Sequence, residues 1–171
     1  DAMRDRLAKS SQRAQALSDM AEGWFNGIPW LWDKFQISST PDGRYVGETL
    51  ESAAKSSGIA PDELTLQLCE QYGNEIQVVL FYRTEADVSA FLQHRLAVVG
   101  SDGNAIPLLQ PNAQPHPRNF GTFPRVLGKY VRDQGVLELT DAIRKMTYEP
   151  ARRLGIHDRG CIAIGKAADL V

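Results

Sequence analysis

The sequence is poor in the residues that build metal cages and cross-links. Its 171 residues include two cysteines and three histidines. Cys69 and Cys161 stand 92 positions apart, with no C-x-x-C pair and no histidine spaced beside them. That excludes a disulfide framework, and the two read as buried thiols of a cytoplasmic protein. No one sign of charge dominates. Nineteen Lys and Arg against 21 Asp and Glu leave a net charge of −2, which offers no electrostatic footing to nucleic acid or to an anionic membrane. No apolar run approaches the ~20 residues that span a bilayer. The first stretch, "DAMRDRLAKS", is charged and helix-like, unlike a signal peptide. Repeats and low-complexity stretches are missing too. What remains, 43% hydrophobic and 23% charged, is the balance of a globular domain with a core of its own.

The apolar spacing predicts alternating helices and strands. Residues 2–22 suit one amphipathic, mostly exposed helix. "WFNGIPWLW" (24–32) is a connector whose Trp24, Trp30 and Trp32 either anchor that helix to a core or wall a pocket. "KFQISST" (34–40) reads as a strand closed by the turn "PDGR". Helices are expected over 48–58, ending on a glycine, and over 60–73, with Pro61 in the first turn. "IQVVLFY" (76–82) is a continuous apolar run of the kind that forms a buried parallel strand. Thr84 and Asp87 stand at near capping-box spacing and open a helix over 84–95. "LAVVG" (96–100) is the next expected strand. A Pro-rich loop spans 104–119, two or three helices follow, and Gly160 and Gly165 bracket a short β segment. Short links between alternating elements indicate βα units and a parallel sheet, an α/β fold.

"VVGSDG" (98–103) ends an apolar run on an aspartate with glycine close on either side. Catalytic groups of parallel α/β folds sit at the carboxyl ends of strands, so Asp102 is a candidate acid/base or metal contact. The competing reading is a turn cap, since Asp beside Gly is common turn chemistry. "HPRNFGTFPRVL" (116–127) brings His116 and Arg118 after the Pro-rich loop. Arg118 is a candidate fork for a substrate carboxylate, or else a surface arginine paired with a local acid.

Taken in order, "VVGSDG", "HPRNFGTFPRVLGKYVRD" and "LTDAIRKMTYEPARRLGIHDRGCIAIGKAADLV" resemble the C-terminal part of the N-acyl-D-amino-acid deacylases (D-aminoacylases) of the amidohydrolase superfamily. The resemblance is densest over 97–171 and weaker back to about residue 30. It implies the C-terminal part of a metal-dependent (β/α)8 (TIM) barrel over 1–157, with 158–171 starting the return into a small β domain. It also implies zinc at the barrel mouth of the intact enzyme and hydrolysis of N-acyl-D-amino acids to a D-amino acid and a carboxylate. Asp102 takes the place of the acid/base, which also contacts a second, weak metal. Arg118 takes that of the carboxylate anchor, and His116 joins it as a substrate-binding residue in a supporting role, or else is an orienting or purely structural histidine.

The departures matter as well. The family's HxH pair, ligand cysteine and further histidines have no counterpart here: His94 falls within a helix, His157 near the C-terminal helix end and Cys69 mid-helix. The main zinc ligands are therefore expected upstream of this chain, zinc absent from it, and the chain alone inactive. Both ends read as cut, and a partial barrel leaves open sheet edges that invite self-association. Two other readings stand beside this one. The first is a dihydroorotase- or hydantoinase-like cyclic-amide hydrolase. The second is a non-catalytic module on a barrel remnant.

Overall fold

The computed structural model describes residues 2–25 and 27–171, so Asp1 and the connector's Asn26 lie outside the described residues. The chain divides into two compact units, Asp1–Tyr82 with Pro107–His116 and Arg83–Ile106 with Pro117–Val171. Helices and a small sheet together make it an α/β protein.

In the first unit, Phe35–Ser39 (β1) pairs with Gln77–Leu80 (β2), Phe35 facing Leu80 and Ile37 facing Val78. The pairing is antiparallel, which corrects the expected buried parallel strand. Paired residues share a face, and burial differs between the two strands: Phe35 and Ile37 of β1 are buried, while their partners Leu80 and Val78 are exposed. Val79 is buried while Val78 and Leu80 are exposed, the alternation of a half-buried strand rather than a doubly covered one. Leu50–Ser57 (α3) and Pro61–Tyr72 (α4) pack against Phe35 and Ile37 of β1. Thr49 caps α3 by accepting the Ser52 N–H, and Gly58 ends it in the left-handed region at φ 68°, where only glycine sits without cost. Pro61 stands in the first turn of α4, where its missing N–H removes nothing.

Ile37, Ala53, Leu64 and Leu68 are sealed from solvent. Each large side chain so buried stabilises by about 1.5–3 kcal/mol. Trp24, Trp30 and Trp32 pack on this core around Phe35, and Trp30 and Trp32 also line a cavity of about 490 Å³, so the connector both anchors and walls a pocket. The single helix expected over 2–22 is two, Ala2–Leu7 (α1) and Ser10–Ala21 (α2). Arg13 of α2 reaches Glu63 and Glu70 of α4 at 2.6 and 2.8 Å. The second half of the Pro-rich loop lies along β1: Gln114 donates its N–H to Ser38 O at 2.7 Å.

In the second unit, Glu85–Gln93 (α5) opens with the full capping box of Thr84 and Asp87. Arg118–Arg125 (α6) contains Pro124 and widens into a π-helical stretch over Val126–Asp133. Proline cannot donate to the helical ladder, and such wide turns accommodate the break. Leu139–Met146 (α7) and Tyr148–Arg153 (α8) follow. Val126, Tyr130, Leu137 and Ala142 form the core. Two expected strands do not form. Residues 96–100 pair with no strand among the described residues, because Val99 donates to Lys145 O on α7 at 3.1 Å and its side chain joins the helical core. The 160–165 segment is irregular, with Ile162 and Ile164 in solvent and no strand beside it among the described residues.

Glu85 ties this unit together, meeting Lys129 at 2.7 Å, Tyr130 Oη at 2.8 Å and Arg125 at 2.8 Å. Lys129, then Tyr130, hold its carboxyl down to about 2. A carboxylate depressed on folding contributes stability above its unfolded value near 4.3 and loses it as pH falls through the folded one. Glu85→Gln is therefore expected to lower the urea midpoint at pH 7. The gap should narrow below about pH 4 and be lost as pH falls through about 2, and it should be smaller at high salt, since Glu85 is half-exposed and screened. A gap constant across that pH range would show that charge is not what Glu85 supplies.

Candidate active site

Asp102 is positioned from both sides. Upstream, the turn after α5 is fastened to α7 by Lys145, whose ammonium donates to His94 O at 2.7 Å and Ala97 O at 3.2 Å. Lys145 is almost fully buried. Downstream, Ser101 Oγ accepts the Gly103 N–H at 3.1 Å, and Asn119 Oδ1 accepts the Asn104 N–H at 2.8 Å. Gly103 lies so close to the start of α6 that a Cβ there would fall 2.8 Å from Arg118 O. Any side chain would push the loop away. Asp102 itself sits at φ 51°, a left-handed conformation that aspartate tolerates better than most residues. Its side chain therefore projects from a loop clamped onto the first turn of the helix that Arg118 begins.

The result is an ion pair, Arg118 Nη1 to Asp102 Oδ2 at 2.9 Å. Asp102's side chain is 86% exposed and Arg118's 41%, so the pair contributes at most about 1 kcal/mol. Both groups can let go of each other for a ligand. The structure thus brings together the aspartate and the arginine singled out by their motifs. His116 is half-buried and belongs with the first unit.

The chain's own donors do not fit a zinc cage. Among the described residues no group of three or more His, Cys, Asp or Glu side chains is placed to hold a metal ion. Burial raises the Cys69 thiol above its ordinary value, away from the thiolate that binds metal, and Cys161 is exposed.

A family model described as the amidohydrolase family matches residues 58–171, a span that contains both Asp102 and Arg118. The chain belongs to the amidohydrolase family. Its relatives within that family include the N-acyl-D-glutamate deacylase of Alcaligenes xylosoxydans xylosoxydans. That protein is 39% identical over 133 residues, 78% of this chain and 25% of the relative. The D-aminoacylase of the same organism is 44% identical over 93 residues, 54% of this chain and 18% of the relative. Among solved structures, the N-acyl-D-glutamate deacylase of Bordetella bronchiseptica matches with a TM-score of 0.68 at 35% identity. The match covers 81% of this chain and 27% of that one. That crystal structure holds zinc and a phosphonate inhibitor that mimics the tetrahedral intermediate. The chain therefore spans about a quarter of the length of these amidohydrolases.

Two residues at this site escape a reading of the sequence. Asn119 follows Arg118 directly, yet only the fold shows that it grips Asn104. Lys145 looks like one more charge on a polar helix, and the signal that could have found it is its place three residues after the fully buried Ala142, on the same helical face.

Proposed function

We propose that this chain supplies the proton-handling carboxylate and the carboxylate anchor of a zinc-dependent amidohydrolase. That enzyme cleaves the amide of N-acyl-D-amino acids, and its zinc ligands lie outside this chain. The observation that carries the proposal is the Asp102–Arg118 pair, held at 2.9 Å on a clamped loop yet open to solvent. The names of the matched relatives favour linear N-acyl-D-amino acids over cyclic amides.

The roles follow from the groups. The substrate's α-carboxylate takes Arg118 from Asp102, exchanging one exposed ion pair for another at little net cost. Asp102, released, accepts a proton from the water that attacks the acyl carbon, and a C–O bond forms. As the C–N bond breaks, the same carboxyl returns the proton to the leaving nitrogen. Arg118 fixes the distance between the substrate's carboxylate and its scissile carbonyl. His116 keeps a supporting role in this reading. Zinc and the second, weak metal contact of Asp102 belong to the same proposal.

A (β/α)8 barrel over 1–157, returning towards a small β domain over 158–171, belongs to the same proposal, and among the described residues β2 has no strand on its outer edge. Left uncovered, that edge is open to a second copy of the chain. The anchor role is tested by Arg118→Lys in the enzyme that contains this chain. KM for N-acetyl-D-glutamate should rise about tenfold, the loss of a bidentate contact, with kcat within about twofold. A fall in kcat at unchanged KM would remove Arg118 from substrate binding.

A further inference from the structure

The second unit holds a cavity of about 550 Å³ lined by Arg95, Leu96, Arg144, Glu149, Arg152 and Arg153. Four guanidiniums converge there in a chain whose net charge is −2. Two of them are already committed. Arg144 holds Asp141 at 2.6 Å and Glu149 at 2.5 Å, and Arg153 donates to Leu96 O at 2.9 Å. Arg95 and Arg152 form no ion pair among the described residues. Four guanidiniums face the carboxylates of Asp141 and Glu149, and Asp141 is also shared with Lys145 at 3.9 Å, so positive charge is in surplus.

Helix-end electrostatics explain only part of this. Arg152 and Arg153 lie in the last turn of α8, where cations are favoured by the helix dipole. Arg95 comes from the turn after α5 and Arg144 from α7, so three separate segments aim cations at one space. A cavity of this size suits a small organic molecule rather than a bare ion, and the arginine fork matches planar or tetrahedral oxyanions.

We propose that this cavity binds a small organic dianion, with Arg95 and Arg152 as its ligands and Arg144 and Arg153 as the fixed walls. The site is distinct from the Asp102–Arg118 pair and does not rest on the deacylase reading. The shared chemistry is two negative charges on oxygen, carried either by a phosphate monoester or by two carboxylates.

Isothermal titration of the full chain at pH 8 and constant ionic strength tests it, with phenyl phosphate in one arm and glutarate in the other. Saturable binding of one dianion per chain, absent with chloride alone, is expected in at least one arm. Binding in the first arm only identifies a phosphate monoester, and binding in the second only a dicarboxylate. Arg95→Gln with Arg152→Gln should weaken it about tenfold or more, the loss of two partly solvated charge-assisted contacts. Both side chains are exposed, so the double variant should fold, with an unchanged circular dichroism spectrum. Arg132→Gln, whose arginine is paired with Asp133, should bind like the parent. No saturation in either arm, or equal binding by the folded double variant, overturns the proposal.

Discussion

Lys145→Met should lower the stability of the chain by about 2 kcal/mol, and Lys145→Ala by about 3 kcal/mol. Lys145 is 1% exposed and its ammonium donates to the carbonyls of His94 and Ala97. Asp141 Oδ2, at 3.9 Å, supplies counter-charge. Methionine keeps the volume of the stem and removes the donor, leaving both carbonyls without their partner. An unsatisfied buried acceptor costs about 1–3 kcal/mol. The sum stays near the lower end because His94 is exposed and water can reach its carbonyl, and because methionine no longer carries a buried charge. Alanine adds a void. The measurement is urea unfolding, with the midpoint lowered and the slope unchanged. Equal stability of Lys145→Met and the parent would mean that the two hydrogen bonds contribute nothing beyond packing, and that the 94–97 turn is fastened by other groups.

The second large effect is on turnover. In the enzyme that contains this chain, Asp102→Asn should reduce kcat for an N-acyl-D-amino acid by about 10²–10⁴, the range of a positioned general acid–base. KM should change little. Asparagine is the right replacement because it tolerates φ near 51° as aspartate does, so the loop keeps its course and only the proton acceptor is lost. The Arg118 pair lost with it was worth at most about 1 kcal/mol, so the unfolding midpoint should stay close to the parent's. A variant that keeps its turnover would remove Asp102 from the proton transfers.

Local signals in the sequence were the most legible. Thr84 with Asp87 and Pro61 marked the starts of α5 and α4, and Gly58 the end of α3, because caps and turns are decided by a few neighbouring atoms. Asp102 and Arg118 stood out for the same reason, each set in a dense short motif. Strand pairing was not legible in that way. Whether 76–82 pairs parallel or antiparallel, and whether 96–100 pairs at all, depends on which partner lies alongside, and residue order alone does not state it. The run "LAVVG" has the composition of a strand, but Lys145 O takes Val99's N–H and helices cover its side chain. Polar fasteners were the least legible: buried Lys145 and half-buried Asn119 act through carbonyls and amides remote in sequence.

Under the proposed function, the chain carries the substrate side of a deacylase site, and the zinc cage lies outside it. The zinc content of the purified 171-residue chain tests that division most directly. Near zero zinc per chain after dialysis is the predicted result. About one tightly held zinc per chain, the stoichiometry of a closed site, would contradict it. It would mean that His94, His116, His157, Cys69 or Cys161 complete a cage of the chain's own.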